Sequence, residues 1–182
     1  MKGVIESYIG PAQFVSARGA RWALFVSLFV VVSVLAPYAV HTFGISGRVF
    51  LPMHFCVMLA SLVMGLSGGL VTAVLSPIVS YSISGMPPYA SLFPMTCELM
   101  TYALCVWFFS ARFRLPTSAA LAVSMILGRV VSVSIAAMVG DIPLRSLILG
   151  VTVVALPGII LQLVFLPPLA GRISRFLEGS HE

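Results

Sequence analysis

Hydrophobic residues along this chain come in long blocks separated by short polar or Gly/Pro-rich punctuation. A bilayer core needs about 20 apolar residues per crossing helix, and six segments approach that length. They run from about Trp22 to Val40, Val49 to Leu66, Leu70 to Ser84, Met95 to Ser110, Thr117 to Val139 and Leu147 to Leu166. The breaks have recognisable chemistry. His41–Gly44 ends the first block, Gly68-Gly69 makes a tight connection after the second, and the loop Gly85–Pro94 is too rich in proline to continue a helix. Gly140–Pro143 stops the fifth block, Pro157-Gly158 interrupts the sixth and Pro167-Pro168 ends it. The alternation of a transmembrane β-strand is missing. In lipid, closed barrels apart, only helices pair every backbone group. The pattern predicts an all-α integral membrane protein, a six-helix bundle in a single domain over residues 21–169. A 1–20 cytoplasmic segment precedes the bundle and a polar tail, 170–182, follows it.

Composition agrees: 182 residues are 60% hydrophobic and only 8% charged, with mean hydropathy +1.12. A soluble domain carries roughly a quarter of its residues as charges. The net charge is +5, which in a soluble protein raises nucleic acid as a partner. Here the basic residues sit at span ends, so membrane topology accounts for them and no nucleic-acid partner is expected. With the N-terminus inside, Lys2, Arg18, Arg21, Arg112, Arg114, Arg172 and Arg175 are cytoplasmic, and the outer loops hold only Arg48 and Arg145. Positive residues favour the inside, so both termini are placed in the cytoplasm. The first block has basic flanks like a signal peptide but lacks a clear small-x-small cleavage site, so it is read as retained. Cys56, Cys97 and Cys105 lie in apolar blocks without CxxC spacing, which favours buried thiols over a metal site.

Small residues at a spacing of four let helices approach closely in lipid. One ladder is Ala120, Ser124, Gly128, Ser132, Ala136 and Gly140; a second is Gly68, Thr72, Ser76, Ser80 and Ser84. A third, Gly19, Ala23 and Ser27, lies at the start of the first helix. The first two are expected inside the bundle. The third either packs internally or faces another protein.

Ionisable groups at membrane depth are costly and tend to face a cavity or a partner. His54, Glu98 and Arg129 qualify, with Asp141 at the outer end of the fifth span and Gln162 as a weaker candidate. His54 shares a helical face with Met58, and Glu98 shares one with Tyr102. Arg129 adjoins the Gly128–Ser132 ladder and so points into the bundle. These side chains converge on a polar pocket open to the outside. The alternative is a structural Glu98–Arg129 ion pair with His54 as an interfacial anchor. No GxSxG, HExxH or Walker motif is present, and no other catalytic constellation is visible. The expectation is a non-enzyme without cofactor or bound metal.

The strings Leu51-Pro52-Met53-His54, Gly65-Leu66-Ser67-Gly68-Gly69, Ser76-Pro77, Gly85-Met86-Pro87-Pro88, Glu98-Leu99-Met100-Thr101-Tyr102 and Pro157-Gly158-Ile159-Ile160-Leu161-Gln162 resemble, in order and spacing, those of the substrate-binding (S) components of energy-coupling factor (ECF) transporters. The resemblance covers roughly residues 20–170. It implies a multi-pass protein of a prokaryotic plasma membrane that captures a vitamin or related micronutrient from outside. It also implies docking on a transmembrane coupling subunit driven by two ATPase subunits, since the S component itself has no ATPase activity. The pocket would comprise His54, Met58, Met86, Tyr89, Phe93, Glu98, Tyr102 and Arg129, with the Gly85–Pro94 loop, which carries Met86, Tyr89 and Phe93, and the His41–Arg48 loop closing over the ligand. The family meets its coupling subunit through small residues of the first helix, often Ala-x-x-x-Ala. The nearest match here is Gly19, Ala23 and Ser27, which departs from strict alanine. Two competing readings are a stand-alone secondary transporter or channel and a non-transport scaffold of similar helix count.

Overall fold

In the computed structural model the described residues are 19–42, 51–139 and 144–179, and every regular element among them is helical. The long helices are α1 (Ala20–Thr42), α2 (Pro52–Ser84), α3 (Tyr89–Arg112) and α4 (Thr117–Val139). A single turn, α5 (Leu144–Leu147), leads through a π-helical segment (Ile148–Val153) into α6 (Leu156–Gly179). Five of these, α1 to α4 and α6, are long and apolar enough to cross a membrane. The chain is a multi-pass helical membrane protein.

Among the described residues the count is five where six spans were expected, because the second and third apolar blocks are two helices that meet at a kink within α2, 33 residues in all. It is not straight. Gly65 has φ 73° and ψ −167°, a backbone conformation essentially confined to glycine. Residues eight apart on a straight helix are separated by about 12 Å. Here an ideal Cβ on Gly69 would lie only 3.0 Å from Ser61 Cα, so the two arms of α2 bend sharply against each other. The turn expected at Gly68-Gly69 therefore sits at Gly65, and Gly69 supplies the close approach between the arms. The arm 52–64 is about 20 Å long and the arm 66–84 about 28 Å. The first is shorter than a bilayer core of about 30 Å, and nearly every residue of it is buried, Val57, Met58, Ala60, Val63 and Met64 completely. Irregular backbone at membrane depth is tolerated where protein surrounds it, and Gly65 is itself buried.

Helix α2 is the centre of the bundle. It packs against α1, α3 and α6, while α4 packs against α3 and α6. A hydroxyl–hydroxyl bond of 2.7 Å joins Ser33 of α1 to Ser76 of α2, and Ser61 Oγ donates to Ala103 O of α3 at 2.8 Å. Such interhelical polar bonds add to van der Waals packing where lipid gives no hydrophobic drive between helices. The two long ladders face inward over most of their length, Ser84 being exposed and Ala136 half-buried. Thr72, Ser76 and Ser80 are buried on α2, and Ala120, Ser124, Gly128 and Ser132 on α4. Leucine, valine and isoleucine side chains on α1 and α4, among them Leu24, Leu35, Ile126 and Val130, stand exposed on the rim, where lipid tails cover them.

Proline marks fewer boundaries than the sequence pattern suggests. The loop expected at Gly85–Pro94 shrinks to residues 85–88, since α3 starts at Tyr89 and holds Pro94 inside it. The last span begins at Leu156, with Pro157 in its first turn, where a missing N–H costs nothing. It then runs through Pro167 and Pro168 to Gly179 instead of ending there. Leu166, Ala170 and Ser174, at a spacing of four, keep one face of α6 buried across those prolines. Packing along that stripe outweighs the local helix-breaking tendency, so residues 170–179 extend the bundle's last helix. The segment 1–18, Arg48, Gly140 and Asp141 lie outside the described residues.

Candidate functional site

Residues of α2, α3 and α4 meet inside the bundle around one carboxylate oxygen, Glu98 Oε1. Tyr102, one turn further along α3, donates its hydroxyl to it at 2.6 Å. Arg129 Nη1, from the middle of α4, lies 3.1 Å away, a charge-assisted contact. His54 Nε2, in the first turn of α2, stands at 3.6 Å, beyond hydrogen-bond reach, and its ring lies 5.5 Å from that of Tyr102. All four residues are at least nine-tenths buried: Tyr102 2%, Glu98 3%, His54 4% and Arg129 8% exposed. Met58, one turn beyond His54, is completely buried beside them in the core.

The elements place these groups for clear reasons. Glu98 is about 14 Å along α3 from its start at Tyr89, and Arg129 is near the middle of α4. Because His54 approaches the same oxygen, the short arm of α2 begins at that depth inside the bundle. Gln162 of α6 anchors this start, its Nε2 donating to Leu51 O at 3.1 Å while fully enclosed. The Leu51 carbonyl also accepts the Phe55 N–H at 3.1 Å. Gly128 of α4 lies directly against the Tyr102 ring, so a Cβ there would collide with Tyr102 Cε1 and Cδ1. Gly128→Ala must then displace a ring fixed by its bond to Glu98. Overpacking of this kind costs about 1–3 kcal/mol, and we expect a correspondingly lower thermal midpoint for the detergent-purified variant. An unchanged midpoint would show that Tyr102 is free to move.

The cluster is only partly satisfied. Both ring nitrogens of His54, and Nε and Nη2 of Arg129, are buried without a hydrogen-bond partner. Each such group costs about 1–3 kcal/mol, and more where it is charged, so the site stores unmet hydrogen-bonding capacity in the interior of a stable bundle. Among the described residues no group of three His, Cys, Asp or Glu side chains is placed to hold a metal ion.

Of the sequence-derived pocket residues, the structure brings together His54, Met58, Glu98, Tyr102 and Arg129. It does not bring Met86, Tyr89 and Phe93 to them; these are 48%, 77% and 64% exposed, and the Tyr89 ring instead sits 6.2 Å from that of Tyr81. Starting α3 at Tyr89 puts Tyr89 and Phe93 on an outward-facing first turn of a helix. Gly19, Ala23 and Ser27 are all exposed on α1, with no packing role inside the bundle. Sequence reasoning assigned Gly128 to helix packing alone and missed its role as the backing of Tyr102. The ladder around Arg129 was the available signal.

No family model matches the chain, and no curated protein or solved structure matches it either. The resemblance to S components rests on the sequence strings.

Proposed function

We propose that this protein captures a small vitamin-like solute from outside the cell as the substrate-specificity subunit of an ATP-driven ECF importer. One observation carries the reading: a buried cluster of an acid, an arginine, a histidine and a tyrosine in which four nitrogens lack partners. A purely structural ion pair gains nothing from leaving these nitrogens unmet, whereas a binding site needs them free. Ionisable groups inside a membrane bundle mark solute or ion pathways as a rule, and a buried half-length helix ending at such a cluster is a recurrent feature of transport sites.

In this reading both termini are cytoplasmic and the site is reached from the outer ends of α3 and α4. The exposed Gly19, Ala23 and Ser27 of α1 meet a transmembrane coupling subunit, and two ATPase subunits on that partner supply the energy. The protein itself is a binding subunit and not an enzyme.

The test is a thermal-shift screen of the detergent-purified protein against vitamins and their precursors. A compound that binds only the folded state adds about 2.7 kcal/mol of stability at a hundredfold excess over its Kd. We expect a shift with a narrow set of compounds, abolished by His54→Ala. If no compound shifts the midpoint, after co-purified ligand has been excluded by mass spectrometry, capture is wrong and a scaffold role takes its place.

A further inference from the structure

The unmet valences specify what the cargo must bring. Glu98 Oε1 already accepts the Tyr102 hydroxyl and faces both Arg129 and His54, so the acid is engaged by the protein's own donors. Arg129 spends Nη1 on Glu98 and keeps Nε and Nη2 unpartnered. Those two nitrogens form one edge of the planar guanidinium, the side-on fork whose parallel N–H groups match the two oxygens of a carboxylate.

Two further features point the same way. His54, with neither ring nitrogen hydrogen-bonded, lies 3.6 Å from the same Glu98 oxygen that Arg129 contacts, so it stands near the fork. The short arm of α2 starts at this depth, and its first turn at Met53 and His54 carries N–H groups that the helix cannot pair internally. The positive end of a helix favours an anion. Half-helix N-termini directed at anionic groups are how membrane bundles hold such solutes.

Resting on the capture reading, we infer that the cargo bears a single carboxylate, gripped side-on by Arg129 Nε and Nη2 with His54 alongside, and that Glu98 positions the arginine without contacting the cargo. Charge balance selects a monoanion. Glu98 cancels Arg129, so a carboxylate leaves one negative charge for the positive end of α2 to offset. A phosphate dianion leaves twice that at membrane depth, where uncompensated charge is costly. A cationic cargo would face the arginine directly.

The experiment pairs acids with neutral counterparts in thermal-shift titrations of the full chain: nicotinate with nicotinamide, biotin with biotinamide, pantothenate with panthenol, benzoate with benzamide, and inorganic phosphate alone. We expect shifts from one or more acids and none from the matching neutral compound or from phosphate. Arg129→Lys keeps a cation for Glu98 but has no fork, and should weaken the acid's Kd by about tenfold to a hundredfold. If that variant does not purify as a monodisperse species, Glu98→Gln with Arg129→Gln removes both charges together and should lose the acid in the same way. Neutral compounds or phosphate shifting the protein as well as the acids, or an acid retained at full affinity by Arg129→Lys, overturns the carboxylate inference and leaves capture standing. No shift by any vitamin of either charge overturns both.

Discussion

Glu98→Ala is expected to lose about 3–5 kcal/mol of stability, the largest loss from any single substitution at the site. The carboxylate is the hub of the cluster, holding Arg129 Nη1 at 3.1 Å and the Tyr102 hydroxyl at 2.6 Å. Removing it leaves a guanidinium that is 8% exposed with no counter-charge, and Tyr102 with no acceptor. Breaking a buried pair from one side is far more costly than removing both partners. The double variant Glu98→Ala with Arg129→Met should therefore be more stable than Glu98→Ala alone, a non-additivity expected only of groups in direct contact. The measurement is thermal unfolding of wild type, both singles and the double in one detergent. A Glu98→Ala protein that melts with wild type would mean that Arg129 is charged and content without Glu98, and the cluster as described would not exist. Stability and capture separate here: the double variant recovers the fold but regains no affinity, because the arginine fork is gone.

How much of this was legible in the sequence depends on the kind of signal each feature leaves. Apolar block length located α1 and α4 to within two residues at each end and α3 at its C-terminal end, while α6 begins nine residues later and ends thirteen residues later than its block; the spacing of small residues located the buried faces of α2 and α4. Three ionisable residues in a nearly uncharged chain were conspicuous, and their convergence was inferred from helical faces alone. The arms of α2 were legible too, but not the point of the bend. Gly68-Gly69 is the stronger local turn signal, whereas Gly65 sits among Val63, Met64 and Leu66, with nothing in its neighbours to mark a φ of 73°. That choice is made by tertiary packing, where Gly69 is needed for contact with Ser61.

The proline-based boundaries failed for a related reason. Pro94, Pro167 and Pro168 each remove a backbone donor, yet Pro94 is buried in α3, and Leu166 and Ala170 hold α6 to the core around its prolines. Helix propensity is a weak prior that a packed face overrides. The lid expected from Met86, Tyr89 and Phe93 followed from that same misplaced boundary. Once α3 starts at Tyr89, the aromatic residues ride on its outer face.

Gly65→Ala should disable the site without touching any residue in it. At φ 73° and ψ −167° a Cβ is strained by about 1–3 kcal/mol, and Val63, Met64, Gly68 and Gly69 around it are buried, which leaves the bend little room to relax. The strain can be relieved only by straightening α2, which would pull Ser61 from Gly69 and carry the start of the short arm, with His54, away from Glu98. Loss of stability and loss of capture are thus coupled at a position remote from the cluster along the chain. Gly150→Ala is the control, because an added Cβ there meets nothing within 4 Å and its midpoint should stay at the wild-type value. We expect Gly65→Ala to melt clearly below both, with the carboxylate-induced shift reduced or absent. If Gly65→Ala matches Gly150→Ala in midpoint and in ligand response, the bend is not what places His54. The short arm would then be held by Gln162 and the core contacts of Val57, Met58 and Val63 alone.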